Sequence, residues 1–396
     1  MPELELPIYM DNMATTPVDP RVLDALLPYY QERFGNAASR DHAFGREARD
    51  AVETARARIA NLIRCDPGEI VFTSGATESD NLALKGVIEV AGPTKNQVIT
   101  APIEHKAILD SCKWLKSRGC EIVFLQVDRN GLVDPEDLRK AISARTAVIS
   151  IMLVNNEIGV LQPIRELANI AREHDVLFHT DAAQAVGKIE IDTREPGIDL
   201  MSLTAHKIYG PKGIGALYLR RETARGRVAE QMHGGGHEGQ MRSGTLNVAG
   251  CVAFGEACRL AGEEINEERA RLARLRDRLQ TALQRELPAA HVNGHPSSRV
   301  PGNLNMRFTG VDGEALLTGL HDVALSLGAA CNSGAIEPSY VLKAIGLTND
   351  DARGSVRFGL GRFNTEAEVD YTAGRVIEEV KRLRELSPRW DDAVKG

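Results

Sequence analysis

Seven short apolar runs, most separated by amphipathic helical patterns, constrain the fold of this chain more than any other feature. They fall at 70–72, 98–100, 122–127, 148–153, 176–179, 200–203 and 214–219. Runs this short and this uniformly apolar suit strands buried on both faces. Their alternation with helices predicts an α/β fold around a mostly parallel, seven-stranded sheet. In such sheets ligands gather beyond the carboxyl ends of the strands, so polar motifs at those ends are the candidates for chemistry.

The pattern changes near residue 262. A long charged amphipathic helix is expected over 263–287, then strands at 304–308, 323–327 and 356–360, and a closing helix over 366–386. At 396 residues the chain exceeds one ordinary core. The expected division is a large domain over 15–262 and a smaller α+β domain from 1–14 and 263–396. A formal charge of −7 with no basic cluster argues against a nucleic-acid partner, and the arginines between 269 and 285 alternate with glutamate and leucine as on a solvated helix face. No apolar run of ~18 residues exists and Met1-Pro2-Glu3-Leu4-Glu5 lacks the signature of a signal peptide, so no membrane partner and a cytoplasmic location are expected. Six cysteines without a Cys-x-x-Cys pair fit reduced thiols better than a disulfide frame or a zinc site.

Two residues at strand ends suggest a reaction. Lys207, in Thr204-Ala205-His206-Lys207, follows one apolar run, and Asp181, in His179-Thr180-Asp181, ends the run before it. An amine and a carboxylate so placed are what a pyridoxal 5'-phosphate enzyme needs: the amine binds the cofactor aldehyde as a Schiff base, and the carboxylate keeps the pyridine nitrogen protonated. Either residue alone reads as a solvated lysine or a helix cap. Thr73-Ser74-Gly75-Ala76-Thr77-Glu78 leads from a strand into a helix, where free amides suit a phosphate or simply form a capped helix start. Thr204 and His206 suit the same phosphate. Gln184 is placed for the ring hydroxyl and His105 for stacking on the ring, although a lone histidine after a strand is more often surface or core. Asn156 suits a cofactor or substrate contact or an Asx turn. Arg357, flanked by Val356 and Phe358, needs an anion, either a substrate carboxylate or an ion-pair partner.

The motifs Phe72-Thr73-Ser74-Gly75-Ala76-Thr77-Glu78, Val154-Asn155-Asn156-Glu157-Ile158-Gly159, His206-Lys207-Ile208-Tyr209-Gly210-Pro211-Lys212-Gly213, Gly234-Gly235-Gly236-His237-Glu238 and Arg242-Ser243-Gly244-Thr245 are together specific. Over nearly its whole length the chain resembles the cysteine desulfurases of iron–sulfur cluster assembly, within the class V aminotransferase group of fold type I pyridoxal phosphate enzymes. The resemblance implies that Lys207 carries the cofactor, His105 stacks on its ring, Asp181 pairs with the ring nitrogen and Gln184 with the phenolic oxygen. It implies further that Ala76, Thr77, Thr204 and His206 hold the phosphate, that Asn156 and Arg357 take the substrate carboxylate, and that Thr245 reaches the cofactor of the neighbouring subunit in a homodimer. Cys331, in Gly328-Ala329-Ala330-Cys331-Asn332-Ser333-Gly334-Ala335, lies in a stretch of small residues that suits a mobile loop over about 326–336. By resemblance it is the persulfide-forming nucleophile.

The implied reaction removes sulfur from L-cysteine, leaving L-alanine and a persulfide that passes to an iron–sulfur scaffold or another acceptor, tRNA thiolation included. No resident metal is implied at the cofactor site, although Cys331 would transiently contact a nascent cluster. Three departures stand out. Leu327 and Ala329 occupy positions where many relatives carry serine, and Asn332 replaces the usual threonine. Thr204 and Ala205 replace serine and glycine, and the sequence stops at Gly396 without the longer tail by which some members dock a scaffold. The alternatives are a selenocysteine lyase, another class V aminotransferase, or a non-catalytic scaffold for sulfur carriers. The presence of Cys331 beside Lys207 disfavours all three.

Overall fold

The computed structural model describes residues 4–194, 197–327, 338–388 and 390 of the chain. After a two-residue strand β1 (Ile8–Tyr9), the chain supplies β2 (Ile70–Thr73), β3 (Gln97–Thr100), β4 (Glu121–Phe124), β5 (Thr146–Ser150), β6 (Leu177–Asp181), β7 (Leu200–Thr204) and β8 (Gly215–Leu219) to one seven-stranded sheet. Their spatial order is β2-β8-β7-β6-β5-β3-β4. Only β8 runs against its neighbours, β2 and β7; the remaining pairings are parallel.

Both faces of this sheet are covered, which is why its strands read as continuous apolar runs. Successive residues point to opposite sides: Phe72, Ile149, Phe178 and Met201 enter one core, whereas Val71, Val148, Leu177 and Leu200 enter the other. The helix Ala43–Ile63 packs with the helix Val248–Glu286 on the first side.

A further core forms where β9 (Ala290–Val292), β10 (Asn303–Phe308) and β12 (Ser355–Gly359) make an antiparallel sheet, and β11 (Val323–Ala324) pairs in parallel with β1. Ile8, Met10, Met306, Phe308, Phe358 and Val376 meet there. The 39-residue helix Val248–Glu286 serves both regions: Cys251, Phe254 and Cys258 lie in the large core, and Leu272, Leu275, Leu279 and Leu283 lie in the second. The change of pattern near residue 262 therefore falls inside one continuous helix. Among the described residues no helix is long and apolar enough to cross a membrane.

Candidate active site

A cavity of about 460 Å³ lies where the chain leaves β2, β3, β5, β6 and β7. Ala76, Thr77, His105, Asn156, Asp181, Gln184, Thr204, His206 and Lys207 all line it. Arg357 adjoins it through the backbone of Asn156. Thr245 stands exposed outside it, and Cys331 lies outside the described residues.

One wall is the start of the helix Ala76–Ala91, which follows directly on β2. Its N-cap, Gly75, has φ 152° and among the described residues no side chain caps the helix, which leaves its first amides and the positive end of its dipole for a ligand. The turn is braced from outside: Glu78 accepts the amide of Ser74 at 2.8 Å and pairs with Arg242 at 2.7 Å. Strand β8 presses against it so closely that a Cβ on Gly215 would lie 2.6 Å from Gly75 Cα and 2.5 Å from the Leu203 carbonyl.

Lys207 ends the short 3-10 turn Ala205–Lys207 after β7. Burial pushes its amine down to about 8, partly opposed by Asp181, so roughly a tenth is uncharged at pH 7, far more than for an ordinary lysine, and that fraction is able to act as nucleophile or base. Asp181, 5% exposed, ends β6 and accepts the amide of Ala183 at 2.8 Å. His105 caps the helix Lys106–Ser117, its Nδ1 accepting the amide of Ala107 at 3.2 Å, which orients the ring. Burial lowers its pKa and pushes that of His206 down to about 4, favouring neutral imidazoles. His206 Nδ1 lies 3.1 Å from the Thr15 hydroxyl.

Arg357 sits in β12 with Nη2 donating to Asp11 at 2.7 Å and Nη1 to the Asn156 carbonyl at 2.8 Å. Its Nε and the Oδ1 of Asn156 are buried and find no hydrogen-bond partner among the described residues. Those orphaned atoms, the uncapped helix start and the facing Lys207 and Asp181 fit a phosphorylated pyridine carrying an amino-acid substrate.

Several residues of this region escape the sequence reading. Asp11 reaches Arg357 only because Asp11 bridges to Gly359 next to the β1–β11 pairing. Lys188 donates to Gln184 Oε1 at 2.7 Å; a lysine four residues after Gln184 was the available signal. Glu157, 1% exposed inside a motif already singled out, accepts the Ser339 hydroxyl, and Tyr340 donates to the Glu104 carbonyl at 2.8 Å.

Residues 8–372 match the class-V aminotransferase family. A cysteine desulfurase IscS of Anaeromyxobacter sp. (strain Fw109-5) is 52% identical over 393 residues, covering 99% of this chain and 97% of that protein. A cysteine desulfurase of Mus musculus is 51% identical over 390 residues, covering 98% of this chain and 85% of that one. Among solved structures, a NifS-like protein matches with a TM-score of 0.89 at 36% identity, covering 95% of this chain and 100% of the other. The expected fold is thus the observed one, and pyridoxal phosphate is the cofactor of the family. With the cavity, the sheet and these relatives in agreement, the chain belongs to the class-V aminotransferases and, within them, to the cysteine desulfurases.

Proposed function

We propose that the 460 Å³ cavity is where this cysteine desulfurase takes the sulfur of L-cysteine, and that Cys331 receives it as a persulfide and hands it to an acceptor protein. The observation that carries this reading is that the Lys207 amine and the Asp181 carboxylate line one cavity beside an uncapped helix start.

Bound there, pyridoxal phosphate supplies the electron sink for breaking the bond between hydrogen and the substrate α-carbon. Ala76, Thr77, Thr204 and His206 hold its phosphate with hydrogen bonds and the helix dipole. Asp181 would keep a proton on the ring nitrogen, Gln184 would donate to the phenolic oxygen, and His105 would stack on the ring. Lys207 would hold the cofactor through Nζ, and the same atom, once free, would take the α-proton of the substrate. Asn156 and Arg357 orient the substrate carboxylate. The Cys331 thiolate then attacks the substrate sulfur: an S–S bond forms, the substrate C–S bond breaks, and the three-carbon fragment leaves as L-alanine after protonation.

The reading includes a homodimer in which Thr245 serves the neighbouring site, a cytoplasmic location, and two domains. What supports the domain division is that Ile8 and Met10 share a core with residues beyond 272. The acceptor is an iron–sulfur scaffold or another sulfur-acceptor protein, such as one of a tRNA-thiolation relay or of cofactor biosynthesis.

Two variants test the assignment. Lys207→Ala is expected to lose both the visible absorption of the bound cofactor and turnover. Cys331→Ala is expected to keep the absorption and yield almost no sulfide or alanine from L-cysteine under reductant. Normal alanine output from Cys331→Ala would remove the case for the nucleophile.

A further inference from the structure

Gln184 is held from behind. Its Nε2 donates to the Met13 carbonyl at 2.8 Å, and its Oε1 accepts from Lys188 Nζ at 2.7 Å. The chemistry fixes which end of the amide is which, because a backbone carbonyl only accepts and an ammonium only donates. Lys188 therefore holds the oxygen of this side chain on its own side and leaves the amino end, with one N–H uncommitted, as the group able to serve the cavity that Gln184 lines.

We propose that Lys188 is a positioning residue of the desulfurase, locking the Gln184 amide so that it presents a donor, and not its oxygen, to the phenolic oxygen of the cofactor. This rests on the reading of the cavity as the pyridoxal phosphate site. An anionic phenolic oxygen is stabilised by a donor and repelled by a carbonyl, so a flipped or loosened amide changes the sign of the contact. The donor to Gln184 also polarises the amide and strengthens its remaining N–H. When Lys188 is neutral its amine still donates to Gln184 Oε1, and the Met13 carbonyl, which only accepts, keeps the amide from turning over. Burial pushes Lys188 down to about 7, with Lys207 from the turn after β7 and Arg357 from β12 in the same direction and Glu268 from the long helix opposing. Met13 Sδ lies 3.9 Å from Nζ, and Tyr209 and Arg362 line the second, smaller cavity that Lys188 shares with Lys207.

The test is a spectrophotometric pH titration of the cofactor-loaded enzyme, which reads the cofactor's protonation without turnover. Losing a donor to an anion raises the pH at which that anion forms. In Lys188→Met the midpoint of the visible absorption change is expected to move up by roughly one pH unit, the size of a lost hydrogen bond to a charged group. In Lys188→Arg, which restores a donor, it should return toward the parent. In a Gln184→Met background, adding Lys188→Met should move it no further. A Lys188→Met midpoint equal to the parent's overturns the proposal. So does an equal shift with and without Gln184, which would assign the effect to charge alone. If Lys188→Met does not take up cofactor, Lys188→Ala is titrated against the same criteria. A parent enzyme with no cofactor absorption dependent on Lys207 would sink the site assignment itself, a different result from either.

Discussion

Arg357 has two guanidinium nitrogens committed within the protein and one left over. Nη2 meets Asp11 and Nη1 meets the Asn156 carbonyl, while Nε is buried without a partner among the described residues. Both readings of this arginine, an ion pair and a substrate grip, thus have atoms to serve them, since the side chain carries five N–H donors. Arg357→Lys separates the two. The ammonium keeps a positive charge near Asp11, which avoids stranding a buried carboxylate, and loses the planar fork that a carboxylate substrate needs. The expected outcome in steady-state alanine release is a KM for L-cysteine raised about ten- to a hundredfold with kcat little changed, in line with losing a charged hydrogen bond. An unchanged KM would leave Arg357 as a partner of Asp11 only. The arginine was legible in the sequence because apolar neighbours in a strand leave it nowhere to solvate. Asp11 was not, since it meets Arg357 across 346 positions of chain and no local pattern announces such a pairing.

At the scale of elements, loops leaving β5 and the helix at Tyr340–Ala344 are joined by a buried acid. Ser339 donates to the Glu157 carboxylate and its Oγ also accepts the amide of Leu342 at 3.2 Å, starting the helix. Burial pushes Glu157 from 4.5 up to about 7, opposed by the Ser339 hydroxyl and by Arg357. A raised carboxyl pKa means that the neutral form is the one the fold prefers. Its contribution to stability is full below about pH 4.5 and is lost as pH rises through about 7. Glu157→Gln cannot ionise. Urea unfolding of the apoenzyme is therefore expected to show the parent losing about 1 kcal/mol more than Glu157→Gln between roughly pH 6 and pH 8; parallel curves would show that Glu157 does not titrate in this range. Elements were read most accurately where both faces are apolar, as in β2 and β7. The expected strand at 122–127 stops at Phe124 because Val127 turns away to bridge Val133. The long helix begins 15 residues earlier than its charged stripe, at Val248 and not 263, because its first turns are buried all round and carry no amphipathic period.

For the molecule as a whole, the sheet order was beyond the reach of the sequence. Periodicity shows that strands exist, while the placement of β8 between β2 and β7 follows from pairings among distant segments. The cavity was nonetheless legible, because carboxyl ends of parallel strands converge whatever their order. Thr245 is the residue that this chain alone does not explain: it is exposed, and it does not line the cavity of its own subunit. In the homodimer reading it completes the neighbour's phosphate site, so each site takes Lys207 from one chain and Thr245 from the other. That arrangement makes a quantitative prediction. Thr245→Glu places a carboxylate against the phosphate and should abolish cofactor binding in its homodimer, as Lys207→Ala abolishes turnover in its own. A hybrid of the two variants contains one site with both defects and one with neither. Random reassociation of equal amounts yields hybrids for half of the dimers, so activity should return to about a quarter of the parent, starting from two inactive preparations. Sedimentation should give twice the 43.1 kDa chain mass in every sample. A mixture that sediments as dimers, exchanges subunits and recovers nothing would place Thr245 and Lys207 in service of the same chain, and the shared-site arrangement would have to be abandoned.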